Sequence, residues 1–156
     1  MTAIPLEKQD INVIHTLDFK TYQYAFDIKE WGKLVQRGTV FSTLAMVKDK
    51  KVGFGVWERG AKGKPAYIHR LGILPAFRNK GIARTVLNWI DADLKEARKD
   101  KVRMVLSQAT CLGPKDPDDV SGFMKTMGFV WIEEIDDAFN QYGKSYPGFV
   151  FERKLT

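Results

Sequence analysis

The sequence predicts a single α/β domain spanning residues 1–156, with seven strands and four helices in the order β-α-α-β-β-β-α-β-α-β-β. Three observations lead there. Short β-branched and apolar runs recur between segments whose apolar residues keep helical spacing. One run, Ile68–Leu74, ends at Pro75 and passes through a tight basic turn, Arg78-Asn79-Lys80-Gly81-Ile82-Ala83, directly into a helix that aligns Ile82, Val86, Ile90 and Leu94. The third is size: 156 residues with 44% hydrophobic and 12% aromatic content are enough for one sizeable core and too apolar for a disordered chain.

In chain order, Ala3–Leu6 reads as a short opening strand. Asp10 is a suitable N-cap for a helix that carries Ile11, Val13, Ile14 and Leu17. A second helix is expected from about Asp27 to Gln36, with Ile28, Trp31, Leu34 and Val35 on one face and Gly38 as its stop. Thr39–Val47 and Val52–Trp57 read as a hairpin across Lys48-Asp49-Lys50-Lys51, and Tyr67–Leu74 as the next strand. The long helix should run from about Ile82 to Arg98, with Lys95, Arg98 and Lys99 favourably placed at its negative end. Val102–Leu106 is a short buried strand. Gly113–Pro117 is a loop, and Asp118 or Asp119 caps a short helix through Met127. Phe129–Ile135 and Phe149–Leu155 are the last strands, joined by a loop over Asp136–Gly148.

The formal charge is +6, from 25 Lys and Arg against 19 Asp and Glu. Solubility, attraction to a polyanionic ligand and nucleic-acid binding all fit such a surplus. Its dispersal, with no block of five like charges, does not support a nucleic-acid partner. One cysteine, Cys111, excludes an internal disulfide and fits a reducing compartment. The start, MTAIPLEKQD, lacks the pattern of a signal peptide, and no window reaches eighteen uninterrupted apolar residues. A cytoplasmic protein without membrane attachment is expected.

The basic turn carries the most specific signal. A strand, a glycine-containing turn and a helix N-terminus gather unpaired backbone N–H groups around one spot, and Arg78, Lys80 and Arg84 add positive charge. That spot suits an anion such as a pyrophosphate. It is no Walker loop, because Ile82 follows Gly81, and no dinucleotide fingerprint, because Gly81 is its only glycine. It does match Arg/Gln-x-x-Gly-x-Gly/Ala through Arg78, Gly81 and Ala83, preceded by Ile73, Pro75 and Phe77 in a Val/Ile-x-Pro-x-Tyr/Phe-Arg lead-in. In these residues the chain resembles the GNAT family of N-acetyltransferases, whose acetyl-CoA-binding motif has this form. The late segment Gly122–Phe129 is similar to the family's Phe-Tyr-x-x-x-Gly-Phe.

The resemblance implies the GNAT fold: a mixed, mostly antiparallel seven-stranded sheet flanked by about four helices and splayed between its fourth and fifth strands. It implies acetyl-CoA as cofactor, no metal, and an amine acceptor as the other partner, in a monomer or homodimer. Cofactor contacts fall on Leu71, Gly72 and Ile73, whose bulged strand supplies backbone donors to the thioester oxygen, and on Arg78, Asn79, Lys80, Gly81, Ile82, Ala83 and Arg84 around the phosphates. Residues Phe19, Tyr22, Tyr24, Phe26 and Trp31 lie where the family shapes its acceptor pocket, and equally suit a core. His69 is the candidate base, since an imidazole with a pKa near 6.5 accepts a proton at neutral pH. In aromatic-amine acetyltransferases of the family, a histidine at the matching place lines the acceptor pocket. A bulge between His69 and Ile73 would decide which face it occupies.

Met124 departs from the family, which has at this place a tyrosine that protonates the departing thiolate. Tyr142 is the expected substitute acid, with Tyr146 and Cys111 as alternatives. The acidic run Glu133, Glu134, Asp136 and Asp137 is either an attractor for a cationic acceptor or a solvated strand end. The expected function is acetyl transfer from acetyl-CoA to a primary amine, a small molecule or a peptide, by direct attack in a ternary complex. The alternative is a non-catalytic acyl-CoA-binding or interaction module of the same fold.

Overall fold

The structure is a computed structural model that describes residues 3–21, 26–107, 120–141 and 143–155. It divides into two compact units, Met1–Lys99 and Asp100–Thr156. Among the described residues there are seven strands and four α-helices in the expected order.

The first unit holds β1 (Ile4–Pro5), α1 (Ile11–Thr21), α2 (Ile28–Gln36), β2 (Val40–Val47), β3 (Lys50–Glu58), β4 (Ala66–Ile73) and α3 (Ile82–Glu96). Its strands pair antiparallel in the order β1-β2-β3-β4. Strand alternation sends Phe54 and Val56 to one face, where they join Ile14 and Leu17 of α1, Trp31 and Leu34 of α2, Leu6 and Val40 in a buried cluster. Gly55 and Trp57 point to the opposite face, against α3: a Cβ on Gly55 would meet Val86 and Ile90, and Trp57 Nε1 donates to Asp93 Oδ2 at 2.8 Å. The Asp10 cap read from the sequence holds, with Asp10 Oδ1 accepting from Asn12 N at 3.1 Å, while Asp118 and Asp119 lie outside the described residues. Asp27, expected as the start of the second helix, is instead its N-cap, with Oδ1 accepting from Glu30 N at 2.9 Å. Ile28 does not share the buried face of α2 as expected. It sits at the first residue of the helix and is 53% exposed, where the cap rather than packing fixes the chain. The hairpin turn is Lys48-Asp49 alone, because Val47 pairs with Lys50, and a register shift at Ala45/Met46 absorbs the tighter connection.

The second unit holds β5 (Lys101–Ser107), α4 (Val120–Thr126), β6 (Val130–Gln141) and β7 (Lys144–Lys154), paired antiparallel in the order β5-β7-β6. The expected loop over 136–148 is a correction: both strands run through most of it. Its signature is hidden because β6 lies at the edge of this unit, pairing with β7, and its residues from Val130 to Asp137 are exposed, so no alternation is imposed on them. Pro147 within β7 lies opposite the register shift at Ile135/Phe139, where a missing N–H is tolerated.

Candidate functional site

Four elements build the candidate site: the last turn of α1, the ends of β3 and β4, and the start of α3. The turn before α3 depends on two left-handed residues, Asn79 at φ 60° and Gly81 at φ 78°. Gly81 is the N-cap of α3 and offers no side chain to the helix. A Cβ there would meet open space, so the left-handed backbone, not crowding, favours glycine. The first ladder bond is Thr85 N to Gly81 O at 3.1 Å, so the N–H groups of Ile82, Ala83 and Arg84 precede the ladder. Three of the predicted cradle positions thus present main-chain donors at the positive end of a fifteen-residue helix.

The cations are arranged differently from the expectation. Arg78 turns its guanidinium back, donating from Nε to Ile73 O at 3.1 Å and from a terminal nitrogen to Thr21 O at 2.8 Å. It ties the end of β4 to the end of α1. Lys80 Nζ lies 5.4 Å from the Phe77 ring centroid, and Lys50 Nζ lies 5.2 Å from the same ring. Lys50, which the sequence reading did not single out, thus shares the Phe77 ring with Lys80. Arg84 is exposed on the first turn of α3.

On β4, pairing with β3 is regular through Gly53–Ile73, Phe54–Gly72 and Gly55–Leu71. The expected bulge is not there. Val56 pairs with Arg70 and Trp57 with Ile68, which leaves His69 as the extra residue. Leu74 N donates to Val52 O at 2.8 Å, so alternation directs Gly72 N–H toward β3 and those of Leu71 and Ile73 away from it. Gly72 has a packing role: a Cβ would come within 2.6 Å of Phe54 Cε1 and 3.0 Å of Thr21 Cγ2.

The bulge puts His69 and Arg70 together on the face that carries α1 and α2. His69 Nε2 lies 2.9 Å from Glu58 Oε1. Glu58 is also held by Arg37, at 2.8 Å, and by the Thr39 hydroxyl. Burial pulls the His69 imidazole below its ordinary value and Arg37 adds to this, against the opposing pull of Glu58. Burial pushes the Glu58 carboxyl up, but Thr39, His69 and Arg37 together hold it below the usual carboxylate range. Next to this group, Arg70 Nε donates to Asp18 Oδ1 at 2.9 Å, Phe26 N donates to Asp18 Oδ2 at 2.8 Å, and the Arg70 guanidinium lies 4.3 Å from the Phe26 ring. Burial pushes the Asp18 carboxyl up, while Arg70 and the Phe26 N–H pull it back. Glu58 and Asp18 gave no signal in the sequence, being 11 and 52 residues from their partners.

Tyr142, Tyr22, Tyr24 and Cys111 lie outside the described residues. In the second unit, Met124 is buried at 1% exposure in α4, and Tyr146 is half-buried on β7. The run Glu133, Glu134, Asp136 and Asp137 is exposed on β6. Among the described residues, no group of three His, Cys, Asp or Glu is placed to hold a metal, and no helix is long and apolar enough to cross a membrane.

Comparison with known proteins extends these observations. Solved structures similar to this chain include the ribosomal-protein-S18-alanine N-acetyltransferase from Escherichia coli, with a TM-score of 0.73 at 10% identity over 99% of this chain and 94% of that one. An aminoglycoside 6'-N-acetyltransferase complexed with coenzyme A has a TM-score of 0.73 at 12% identity, over 100% of this chain and 98% of that one. A probable acetyltransferase from Staphylococcus epidermidis has a TM-score of 0.76 at 13% identity, over 99% of both chains. No curated protein matches the sequence. The structural likeness establishes the fold, and the fold class expected from the sequence is the one found. In sequence, the family described as Acetyltransferase (GNAT) matches residues 9–111, well over half of the chain. With the glycine-capped α3 turn inside that match, this chain belongs to the acetyltransferase (GNAT) family.

Proposed function

We propose that the protein transfers an acetyl group from acetyl-CoA to a primary amine by direct attack in a ternary complex. The observation that carries this reading is the start of α3, where three main-chain N–H groups follow a left-handed glycine flanked in sequence by Lys80 and Arg84, with Lys50 and Lys80 over the Phe77 ring just before the turn. Such donors fit the pyrophosphate of coenzyme A. The similarity to an acetyltransferase solved with coenzyme A supports the same ligand. Bound there, acetyl-CoA supplies an activated thioester.

The chain's own groups provide the remaining chemistry. Leu71 and Ile73, whose N–H groups point away from β3, are the donors suited to the thioester oxygen as it becomes negative; removing one such donor costs about 100–1,000-fold in turnover. His69, mostly buried at 20% side-chain exposure and held neutral by that burial, takes the proton of the attacking amine. Tyr142 is the proposed acid for the departing thiolate. A thiol pKa near 8.5 makes the thiolate a tolerable leaving group even where that acid is weak.

The test is release of free thiol on mixing the protein with acetyl-CoA and a panel of amines: amino-terminal peptides, lysine peptides, polyamines and arylalkylamines. His69→Ala should lower turnover about 100–10,000-fold with coenzyme A affinity nearly unchanged. Parent-like turnover in that variant would eliminate His69 as base. A second reading, a coenzyme A-binding module without catalysis, is favoured by Met124, a buried thioether where the family has its acid. Binding of acetyl-CoA without thiol release across the panel would establish it.

A further inference from the structure

The bulge at His69 has a partner on the neighbouring strand whose role goes beyond packing. Glu58 ends β3 and its carboxylate contacts three groups: His69 Nε2 at 2.9 Å, Arg37 at 2.8 Å and the Thr39 hydroxyl. Arg37 and Thr39 both lie in the short connection between α2 and β2, so two side chains of that connection fix the carboxylate before it meets the imidazole. We propose that Glu58 is the positioning residue of this site, fixing the tautomer and orientation of His69 so that Nδ1 carries the lone pair that receives the amine proton. The proposal rests on the reading of His69 as the base.

The argument is one of donors and acceptors. An ionised carboxylate only accepts hydrogen bonds, and so the imidazole nitrogen facing it must donate. Nε2 therefore bears the hydrogen, and the neutral ring is left with its lone pair on Nδ1. Among the described residues Nδ1 has no hydrogen-bond partner, which leaves it free to take a proton from substrate. When it does so, the imidazolium forms 2.9 Å from a carboxylate that already stands ionised, so the charge that develops is met without rearrangement. Balance is simple: the amine N–H bond breaks as the Nδ1–H bond forms, Nε2–H stays in place, and the proton leaves later to water or to the thiolate.

The surrounding charges frame the effect. Facing the imidazole from other elements are Glu58 on β3 and Arg37 after α2, while the Asp18–Arg70 pair joins α1 to β4 next to it, with His15 on α1 beyond Asp18. Arg37 opposes protonation of His69, and Glu58 is the group that favours it. Replacing Glu58 by the isosteric amide keeps an acceptor but removes the charge. The imidazole should then be harder to protonate.

Two measurements test this. Imidazole ¹⁵N chemical shifts, read without any turnover, should show the Nε2–H tautomer in the parent protein and a downward-shifted titration in Glu58→Gln. An Nδ1–H tautomer in the parent overturns the proposal. In steady-state kinetics, Glu58→Gln should lower kcat about tenfold or more, leave KM for acetyl-CoA near the parent value and move the acid limb of the rate profile to lower pH. In a His69→Ala background the same substitution should cause no further loss. Parent-like kcat with an unmoved acid limb, or an equal loss in the His69→Ala background, overturns the positioning role. A parent protein that transfers no acetyl group overturns the acetyl-transfer reading and the role together, and is recognised because the parent, not the variant, is inactive.

Discussion

Arg70 and Asp18 form an ion pair with Nε and Oδ1 2.9 Å apart, in which the carboxylate is completely buried and the Arg70 side chain is 12% exposed. The pair joins β4 to α1, and its second carboxylate oxygen accepts from Phe26 N. Removing one partner of a buried pair leaves the other charge uncompensated. Asp18→Asn should therefore destabilise the protein by about 3–5 kcal/mol, measured by urea unfolding at pH 7. A change below ~1 kcal/mol would show that the pair is not closed in solution.

Acid stability should depend on His69. Its folded pKa lies below its unfolded value, so the unfolded chain binds more protons in that window and stability falls as pH drops. The loss begins near the unfolded value of about 6.5 and continues through the lower folded value. Glu58, also depressed, adds a second loss starting near about 4.3, whereas Asp18, raised by burial, acts in the opposite sense. Melting temperature against pH should fall less steeply below about pH 6.5 in His69→Ala than in the parent. Superimposable slopes would contradict the buried, neutral imidazole.

Gly81→Val tests the cradle through backbone alone. A β-branched residue is strained at φ 78°, at a cost of about 1–2 kcal/mol, while the open space at its Cβ removes any packing objection. The variant should stay folded and lose the stabilisation that acetyl-CoA confers. That stabilisation amounts to about 2.7 kcal/mol at 100 times the dissociation constant. Calorimetric melting with and without ligand reads both effects.

Gly72→Ala should destabilise by about 1–3 kcal/mol through overpacking, since the new methyl would meet an aromatic ring at 2.6 Å. The double variant with Phe54→Leu should recover part of that loss, a non-additivity expected of residues in direct contact. Strictly additive losses in urea unfolding would place the strain elsewhere.

Lys50→Ala should weaken coenzyme A binding a few-fold while leaving acetyl-pantetheine, which lacks the phosphates, unaffected. An exposed cation contributes only about 0–1 kcal/mol, and raised salt should narrow the difference. Titration calorimetry with the two ligands at two salt concentrations measures it. Equal weakening of both ligands would place Lys50 outside the phosphate region.

Much of this site was legible in the sequence because its determinants are local. A left-handed glycine before a helix, the cap at Asp10, and the apolar stripe of α3 each involve residues within one or two turns of chain. Hydrogen-bond geometry at that range is set by φ and ψ, so residue type and spacing suffice. The basic turn was therefore found, and with it the family.

Other features depended on which distant segments meet. The extra residue at His69 is a matter of register between β3 and β4, and register is fixed by which side chains the two faces bury, not by either strand alone. Arg78 reads as a phosphate ligand by motif, yet its guanidinium reaches the carbonyls of Ile73 and Thr21 because α1 ends there. Lys50 meets the Phe77 ring through folding, and Glu58 joins His69 through a bulge. The long β6 escaped because an edge strand with both faces exposed carries no alternation to read. By itself the sequence determined the elements, the glycine turn and the family, all written in neighbouring residues. Only the tertiary structure decided which charge faces which, because in a folded chain electrostatic partners are chosen by proximity in space.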